Sequence, residues 1–341
     1  MVGLVSVATC VICDVICIKI RKMRIRKNDY SAIITGLIIA CLLPAAVPYY
    51  VVIAAGAFAI LIAKHPFGGF GLNPFNPSAA GVAFVSLCWP ARAYAYTAPF
   101  EKLPVFGYIW AKTVEDTATS LKFGGLPTHD ILDLLRGNVA GPIGTTSVLV
   151  ILACAIFLIV RKSIAWQVTV SFVGVSALIA FIFSRVAAER SASVLYELCS
   201  GSLMFGAVFV ATEPVTSPRL KSSKLIYGAL CAILTFIFRH KGAYAQGLVF
   251  AVLITNTFST IIDKKIYRII YLNRTEKGWF KARVIGVIRF LLISIKNIIY
   301  SVIAVFRFFT VPSFRRQINA NSAKIIDMGI SDSGEEDDMY D

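Results

Sequence analysis

Apolar runs recur along most of this chain and limit what it can fold into. There are nine of them, each about 14–21 residues long, with short polar connectors between them. They lie near residues 3–18, 31–47, 49–63, 78–91, 146–160, 164–184, 196–212, 225–238 and 243–262. Since stretches of about 20 apolar residues are typical of membrane spans, the pattern predicts an all-α polytopic membrane bundle of about 9–10 transmembrane helices. The shorter runs would need tilted or broken helices.

Composition and charge agree with a membrane protein. The chain is 57% hydrophobic and 16% charged, against about 45–50% and about 25% in soluble domains. Its net charge of +15 would suggest a nucleic-acid partner in a soluble protein, but the basic residues flank apolar runs. We therefore assign them to membrane topology and predict contact with lipid and none with nucleic acid. The eight cysteines lie in or beside apolar runs, and we predict no disulfide framework and no metal site.

The distribution of lysine and arginine predicts an orientation. The first run is followed by "KIRKMRIRKND", which has six bases within nine residues. If that cluster is cytoplasmic, the alternation of spans places most other basic connectors on the same side. The exception is "RHKG", residues 239–242, which this alternation places on the outer side of the membrane. The long connector near residues 92–145 then lies on the outer face.

The last seventy residues differ from the rest. We divide the chain into a multi-pass domain (1–272), an amphipathic juxtamembrane helix (273–312) and an acidic disordered tail (313–341). Arg289, Lys296 and Arg307 form one helical stripe in the middle segment. We favour a helix in the cytoplasmic interface, because charges inside lipid are costly. The alternative is a tenth span whose stripe packs against a partner subunit.

Two connectors on the inferred cytoplasmic side contain glycines, prolines and polar residues at the ends of apolar runs. They are "KHPFGGFGLNPFNPSAAG" (64–81) and "FGAVFVATEPVTSPRLKSSK" (205–224). Such backbone breaks regular helices and is tolerated at membrane depth only inside protein or beside a cavity. The two connectors are candidates for corresponding positions in two related halves. The candidate cavity-lining residues are Asn73, Asn76, Glu213 and Thr216. Glu213 would serve ion passage or cofactor contact, or only cap a broken helix.

Four motifs then occur in a fixed order and resemble segments of one family. They are "NDYSAIITGLIIACLLP", "GGFGLNPFNPSAAG", "GPIGTTSVLVIL" and "GSLMFGAVFVATEPVTSP". Together they are similar to the RnfD family, the D subunit of the Rnf ion-translocating electron-transport complex. That family is related to NqrB of the sodium-translocating NADH:quinone reductase. The resemblance covers roughly residues 28–265 and implies a bacterial cell (inner) membrane protein.

The resemblance implies a covalent flavin on the outer loop. In that family a flavin transferase esterifies FMN, through its phosphate, to the last threonine of a motif Ser/Thr-Gly-Ala-Thr-Pro-Leu. The matching stretch here is "DTATSL", residues 116–121, so Thr119 is the expected attachment residue. Lys122 could help to balance the phosphate charge. Gly124 and Gly125 would let the backbone approach the ring system.

The stretch departs from the family motif at several positions. Asp116 stands where serine or threonine is usual, Thr117 replaces glycine and Ser120 replaces proline. Thr113 stands where an aspartate is expected. Composition alone would favour a solvated loop that contains several threonines.

The resemblance further implies an electron-relay protein that is not catalytic alone. Electrons would pass from ferredoxin toward NAD⁺, coupled to Na⁺ or H⁺ translocation, with the A, B, C, E and G proteins of the Rnf complex as partners. The related reductase protein also holds a non-covalent flavin, so riboflavin is a second candidate cofactor. A different class of function is a secondary transporter or channel that uses the same broken helices without a flavin. A third is a membrane anchor whose C-terminal region recruits partners.

Overall fold

Nine helices of ten or more residues lie in the described part of the protein and overlap the nine predicted runs. The computed structural model describes residues 1–22, 29–99, 101, 104, 113–124, 129–184, 190–242 and 246–272. Within them no strand forms, and the only β-contact is one antiparallel bridge between Thr97 and Thr113. The prediction of an all-α membrane bundle is confirmed. The long helices are α1 (Val2–Ile20), α2 (Ser31–Leu42), α3 (Tyr49–Phe58), α4 (Pro77–Cys88), α8 (Val148–Val160), α9 (Trp166–Ile182), α10 (Arg190–Cys199), α12 (Lys221–Lys241) and α13 (Leu248–Tyr267).

Most of these helices are short for a membrane span. By length and composition, two of the described helices can cross a membrane alone, α1 and α12. A third span results if the bent pair Arg190–Cys199 and Leu203–Val210 counts as one. At 1.5 Å per residue, a helix of 12 or 13 residues covers about 18–20 Å of a hydrocarbon core of about 30 Å. The shorter segments therefore depend on neighbouring backbone or on a locally thinner bilayer to complete their passage.

Helix α8 illustrates how the bundle meets lipid. Its residues Val148, Ile151 and Ala155 are buried against the bundle, whereas Ile156 and Phe157 are more than 60% exposed. Other helices expose leucine, isoleucine and phenylalanine in the same way. In water such surface would favour aggregation, but in a bilayer it is the lipid-facing side.

Glycine lets helices approach closely at three crossings. A Cβ added to Gly36 of α2 would lie 2.7 Å from Val7 Cα of α1. One added to Gly81 of α4 would lie 2.4 Å from the Ala55 carbonyl oxygen of α3, and one on Gly228 of α12 would lie 2.6 Å from the Val168 carbonyl oxygen of α9. Because lipid supplies no hydrophobic drive between helices, close packing of this kind holds a membrane bundle together.

Two segments end in a π-helical turn at the start of the connectors singled out in the sequence: the first turn ends at Lys64, where its connector begins, and the second lies inside its connector. Helix α3 continues as Ala59–Lys64, and the three-residue helix α11 (Leu203–Phe205) continues as Gly206–Val210. In each, an N–H bonds a carbonyl five residues earlier: His65 to Ile60 at 3.1 Å and Ala211 to Gly206 at 2.8 Å. Such turns are frequent at functional sites. Their matching positions favour the hypothesis of two related halves.

The run near residues 196–212 is not one straight helix. Helix α10 and the α11 segment are bent by 64° at a break formed by Ser200, Gly201 and Ser202. Gly201 has a φ of +61°, which suits glycine because it lacks a Cβ.

Three short helices structure the long connector that we expected near residues 92–145. They are α5 (Pro90–Ala93), α6 (Thr117–Lys122) and α7 (Ile131–Arg136). Together the described residues from Met1 to Tyr267 form one compact unit. Arg268–Leu272, a π turn, belongs to a second unit. The predicted amphipathic helix and acidic tail lie outside the described residues.

Candidate functional site

Helix α6 contains the expected attachment residue and is capped by Asp116. The Asp116 side chain accepts a hydrogen bond from the Ala118 N–H at 3.1 Å. Its carbonyl accepts from the Thr119 N–H at 2.9 Å. This is the usual role of serine, threonine, aspartate or asparagine at a helix N-cap. The aspartate that departs from the family motif therefore performs a task that the usual hydroxyl residue would also perform.

Thr119 is the third residue of this helix. Its neighbours Ala118 and Leu121 are fully buried, whereas Thr119 itself is half-buried. Among the described residues, none hydrogen-bonds its hydroxyl. A phosphoester needs a hydroxyl that an enzyme can reach, and Thr119 fits that need better than the buried Thr117 does.

Two polar contacts fix α6 to the bundle, one at each end. At its start, the Asp116 Oδ2 accepts from the Gln246 Nε2 at 2.6 Å. At its end, the Lys122 ammonium donates to the Gly242 carbonyl at 2.8 Å, at the C-terminus of α12. We call this end of α12 the loop end of the bundle. Thr119 thus lies between two anchors that tie its helix to the segments around α12 and α13.

The glycines that follow α6 are only partly described. Gly124 has a φ of +78°, and a Cβ built there would meet no atom of the described residues within 4 Å. Open space beside Gly124 is compatible with a ring system that approaches the backbone. Gly125 lies outside the described residues.

Burial shifts the ionisation of Asp116. Desolvation raises its pKa above the usual range, and this outweighs the opposing effects of the Ala118 N–H, the Gln246 amide and the Arg239 charge. The carboxylate is therefore held by hydrogen bonds in a place that disfavours its charge.

A buried ion cluster lies beside the break at the loop end. The Glu197 carboxylate is 3.5 Å from the Arg239 Nε and 3.0 Å from the His240 Nε2. Arg239 also donates to the carbonyl oxygens of Glu197 and Ser200, at 3.1 and 2.9 Å, and to the Ser200 hydroxyl. Of the basic residues that broke the topology rule in the sequence, Lys241 alone is exposed. Arg239 and His240 are buried and paired.

The four predicted cavity-lining residues come together where the two connectors meet. Asn76 caps α4 by accepting from the Ala79 N–H, and its amide donates to the Val210 carbonyl at 3.0 Å. Thr216 donates to the Glu213 carboxylate at 3.2 Å, and Asn73 is near enough to that carboxylate to stabilise its charge. We call this place the connector crossing.

A second ion cluster, near the start of the first connector, was missed by the sequence analysis. The Asp14 Oδ1 of α1 lies 2.8 Å from the Lys64 ammonium and 2.9 Å from the His65 Nε2. Lys64 also donates to the Ser31 hydroxyl at 2.8 Å. Both clusters share a signal: a basic residue and a histidine adjacent in sequence near the end of a long helical segment, and a single acid on another helix. Within the described residues, no group of three or more ligand side chains could hold a metal.

Comparison with known proteins identifies a family that this chain matches over most of its length. Residues 1–271 match the model of the NQR2, RnfD, RnfE family. The chain is 30% identical over 291 residues to the D subunit of the ion-translocating oxidoreductase complex of Salmonella paratyphi B, covering 75% of this chain and 82% of that protein. The proteins of the same name from Salmonella newport and Salmonella typhi match to the same extent.

Proposed function

The chain belongs to the NQR2, RnfD, RnfE family, and on that premise we propose that it is the flavin-bearing membrane subunit of an ion-translocating oxidoreductase complex. Relatives that match three quarters of the chain are named as the D subunit of such a complex. The helical membrane bundle suits that role. The other members of the complex, which we expect to be Rnf A, B, C, E and G, would supply the remaining redox centres.

We propose Thr119 as the residue to which a flavin transferase attaches FMN through a phosphoester. The observation that supports this most is the local structure of α6: Asp116 takes the N-cap, and Thr119 follows three residues later on a helix anchored at both ends. When bound, FMN would accept and donate electrons, and this chain would fix where that happens. In the proposed reaction, electrons pass between ferredoxin and NAD⁺ with Na⁺ or H⁺ translocation.

The residues around Thr119 would then have separate tasks. Lys122 holds the end of α6 on the Gly242 carbonyl, and its positive charge on the same short helix would help to balance a phosphate. Among the described residues, Gly124 leaves open space next to the helix. A second flavin, riboflavin, would have to bind elsewhere in the bundle.

The connector crossing is our candidate for the ion-handling part of the chain. Asn73, Asn76, Glu213 and Thr216 place a carboxylate, two amides and a hydroxyl between broken helices. Oxygen ligands of this kind suit a cation, and an acid at such a place is a candidate for function.

The test is in-gel flavin fluorescence. The chain is expressed with and without the transferase, denatured and separated, and Thr119→Val is compared with Thr117→Val. We expect a fluorescent wild-type band that needs the transferase, is lost in Thr119→Val and persists in Thr117→Val. A dark wild-type band beside an active transferase would remove the flavin from the proposal. The alternative of a transporter without flavin would then be favoured.

A further inference from the structure

Gln246 joins three separate parts of the chain through one side chain. Its amide nitrogen donates to Asp116 Oδ2 at 2.6 Å. Its carbonyl oxygen accepts from the Ser202 hydroxyl at 2.6 Å and from the Ser202 N–H at 3.0 Å. Gln246 precedes α13, Asp116 caps α6, and Ser202 is the last residue of the break, directly before Leu203. A single amide therefore holds the start of α6 against the bend between α10 and α11.

The break is shaped to admit this side chain. A Cβ on Gly201 would lie 2.8 Å from the Gln246 Nε2 and 3.2 Å from the Ala118 Cβ. Ala118, the residue before Thr119, thus packs directly on the break. Any side chain at Gly201 would push Gln246 and Ala118 away from the break. Arg239 holds the same turn from the other side through the Ser200 carbonyl.

The segment that follows Ser202 ends at the connector crossing. Leu203–Val210 has eight residues, about 12 Å of helix, and the Val210 carbonyl accepts from Asn76 at 3.0 Å. The contact of Gln246 at one end and the contact of Asn76 at the other are therefore joined by one short helical piece. A shift of that piece would change both ends together.

We propose that Gln246 is the positioning residue of the Thr119 site, holding α6 on the break through Asp116 and Ser202. This inference rests on the proposed attachment of FMN to Thr119. Gln246 fixes the orientation and surroundings of whatever Thr119 carries, and links them to the Leu203–Val210 segment. It touches neither the hydroxyl of Thr119 nor any reacting atom, so its effect passes through Asp116.

An exchange of partners tests the inference. Gln246→Leu removes all three hydrogen bonds of this side chain, and Gln246→Glu sets a second carboxylate against Asp116. The double variant Asp116→Asn with Gln246→Glu reverses the donor and acceptor, because the asparagine amide can donate to the glutamate, which can still accept from Ser202. Asparagine also remains an N-cap. Gln167→Leu, another half-buried glutamine in α9, is the matched control.

Two readouts separate this inference from the attachment itself. The first is hydrogen exchange of residues 116–122 in protein made without transferase. Both single variants should raise exchange by about tenfold, equivalent to about 1.4 kcal/mol, and the double variant should return it to within about twofold. The second, in flavinylated protein, is the flavin midpoint potential together with iodide quenching of its fluorescence. Both should change in the single variants and recover in the double variant.

The outcomes are distinct. If wild-type protein carries no flavin but exchange follows the predicted pattern, the attachment fails and the anchoring by Gln246 stands without a redox role. If flavin attaches to every variant with unchanged potential and quenching, Gln246 does not position the site and the inference is overturned. It is equally overturned if hydrogen exchange in the double variant is faster than in either single variant. The effects of the two substitutions would then add, and the exchanged pair would not restore the contact.

Discussion

Asp116 shows how a residue that departs from a family motif can preserve its physical task. At an N-cap, aspartate and serine both offer an oxygen to the first free N–H groups of the helix. The Ala118 N–H receives that oxygen here. Aspartate adds a second oxygen, which accepts a hydrogen bond from the Gln246 amide. The substitution thus keeps the cap and adds an anchor.

Replacing Asp116 separates these two tasks. Asp116→Ala should remove the cap and lower the local stability of α6 by about 0.5–2 kcal/mol. It should also lower the yield of flavinylation, because α6 would fray around Thr119. Asp116→Ser should keep the cap and most of the yield while losing the Gln246 bond. The yield is measured as fluorescence per unit of protein. Equal yields in both variants would show that the cap is irrelevant to attachment.

The Glu197 cluster should contribute strongly to stability. Replacing Glu197 by glutamine leaves the buried Arg239 without its countercharge, which should cost about 3–5 kcal/mol and lower the melting temperature in detergent. Glu115→Gln, an exposed glutamate on the loop, should change the melting temperature little. If both variants melt alike, the cluster does not stabilise the loop end.

The sequence could identify individual residues but not their partners. Thr119 came from motif resemblance, and Asn76 and Glu213 from prolines and polar residues beside apolar runs. The ion pairs of Asp14 and Glu197 join residues 42 to 51 positions apart. No periodicity connects such distant positions, and a lone acid in an apolar run has the same appearance whether it is paired or not.

At the scale of helices, the apolar runs predicted the segments well because burial in lipid depends mainly on composition. The break at residues 200–202 was not predicted, since serine and glycine are also common inside membrane helices. The π turns that end at Lys64 and Val210 could not be predicted from the sequence either. They differ from an α-helix in that each N–H bonds the carbonyl five residues earlier instead of four. What the sequence did indicate was irregular backbone in the two connectors, of which one begins where the first turn ends and the other contains the second turn.

Helix crossings at glycine give a prediction at this scale. Gly81→Ala should destabilise the bundle, because its Cβ would lie 2.4 Å from a backbone oxygen of α3 and the two helices would have to separate. Gly174→Ala in α9 has open space and should be neutral or stabilise by up to about 1 kcal/mol. Thermal unfolding in detergent compares them. An equal effect at both positions would contradict close packing at Gly81.

For the whole molecule, many short helices and much exposed apolar surface suit a protein that is surrounded by lipid and by the other members of a complex. Only two helices, or three with the bent pair, meet the length and composition of a full span among the described residues. Neighbouring chains could cover the ends of the short ones. Basic residues beside the apolar runs fix the orientation that we expect, with α6 outside.

Cysteine accessibility tests that orientation. In a background with the eight native cysteines replaced, Phe123→Cys and Leu72→Cys place thiols at exposed positions after α6 and in the first connector. A membrane-impermeant maleimide added to intact cells should label position 123 and leave position 72 unlabelled until the cells are opened. Labelling of position 72 alone in intact cells would reverse the orientation.

The most direct test of the central claim is peptide mapping of the purified complex by mass spectrometry. The account predicts a peptide that contains residues 117–122 with the mass of one FMN joined by loss of water, and fragmentation that places it on Thr119. The unmodified peptide should dominate in cells that lack the transferase. Recovery of that peptide unmodified from an active, transferase-positive complex, or FMN on another residue, would contradict the assignment of Thr119.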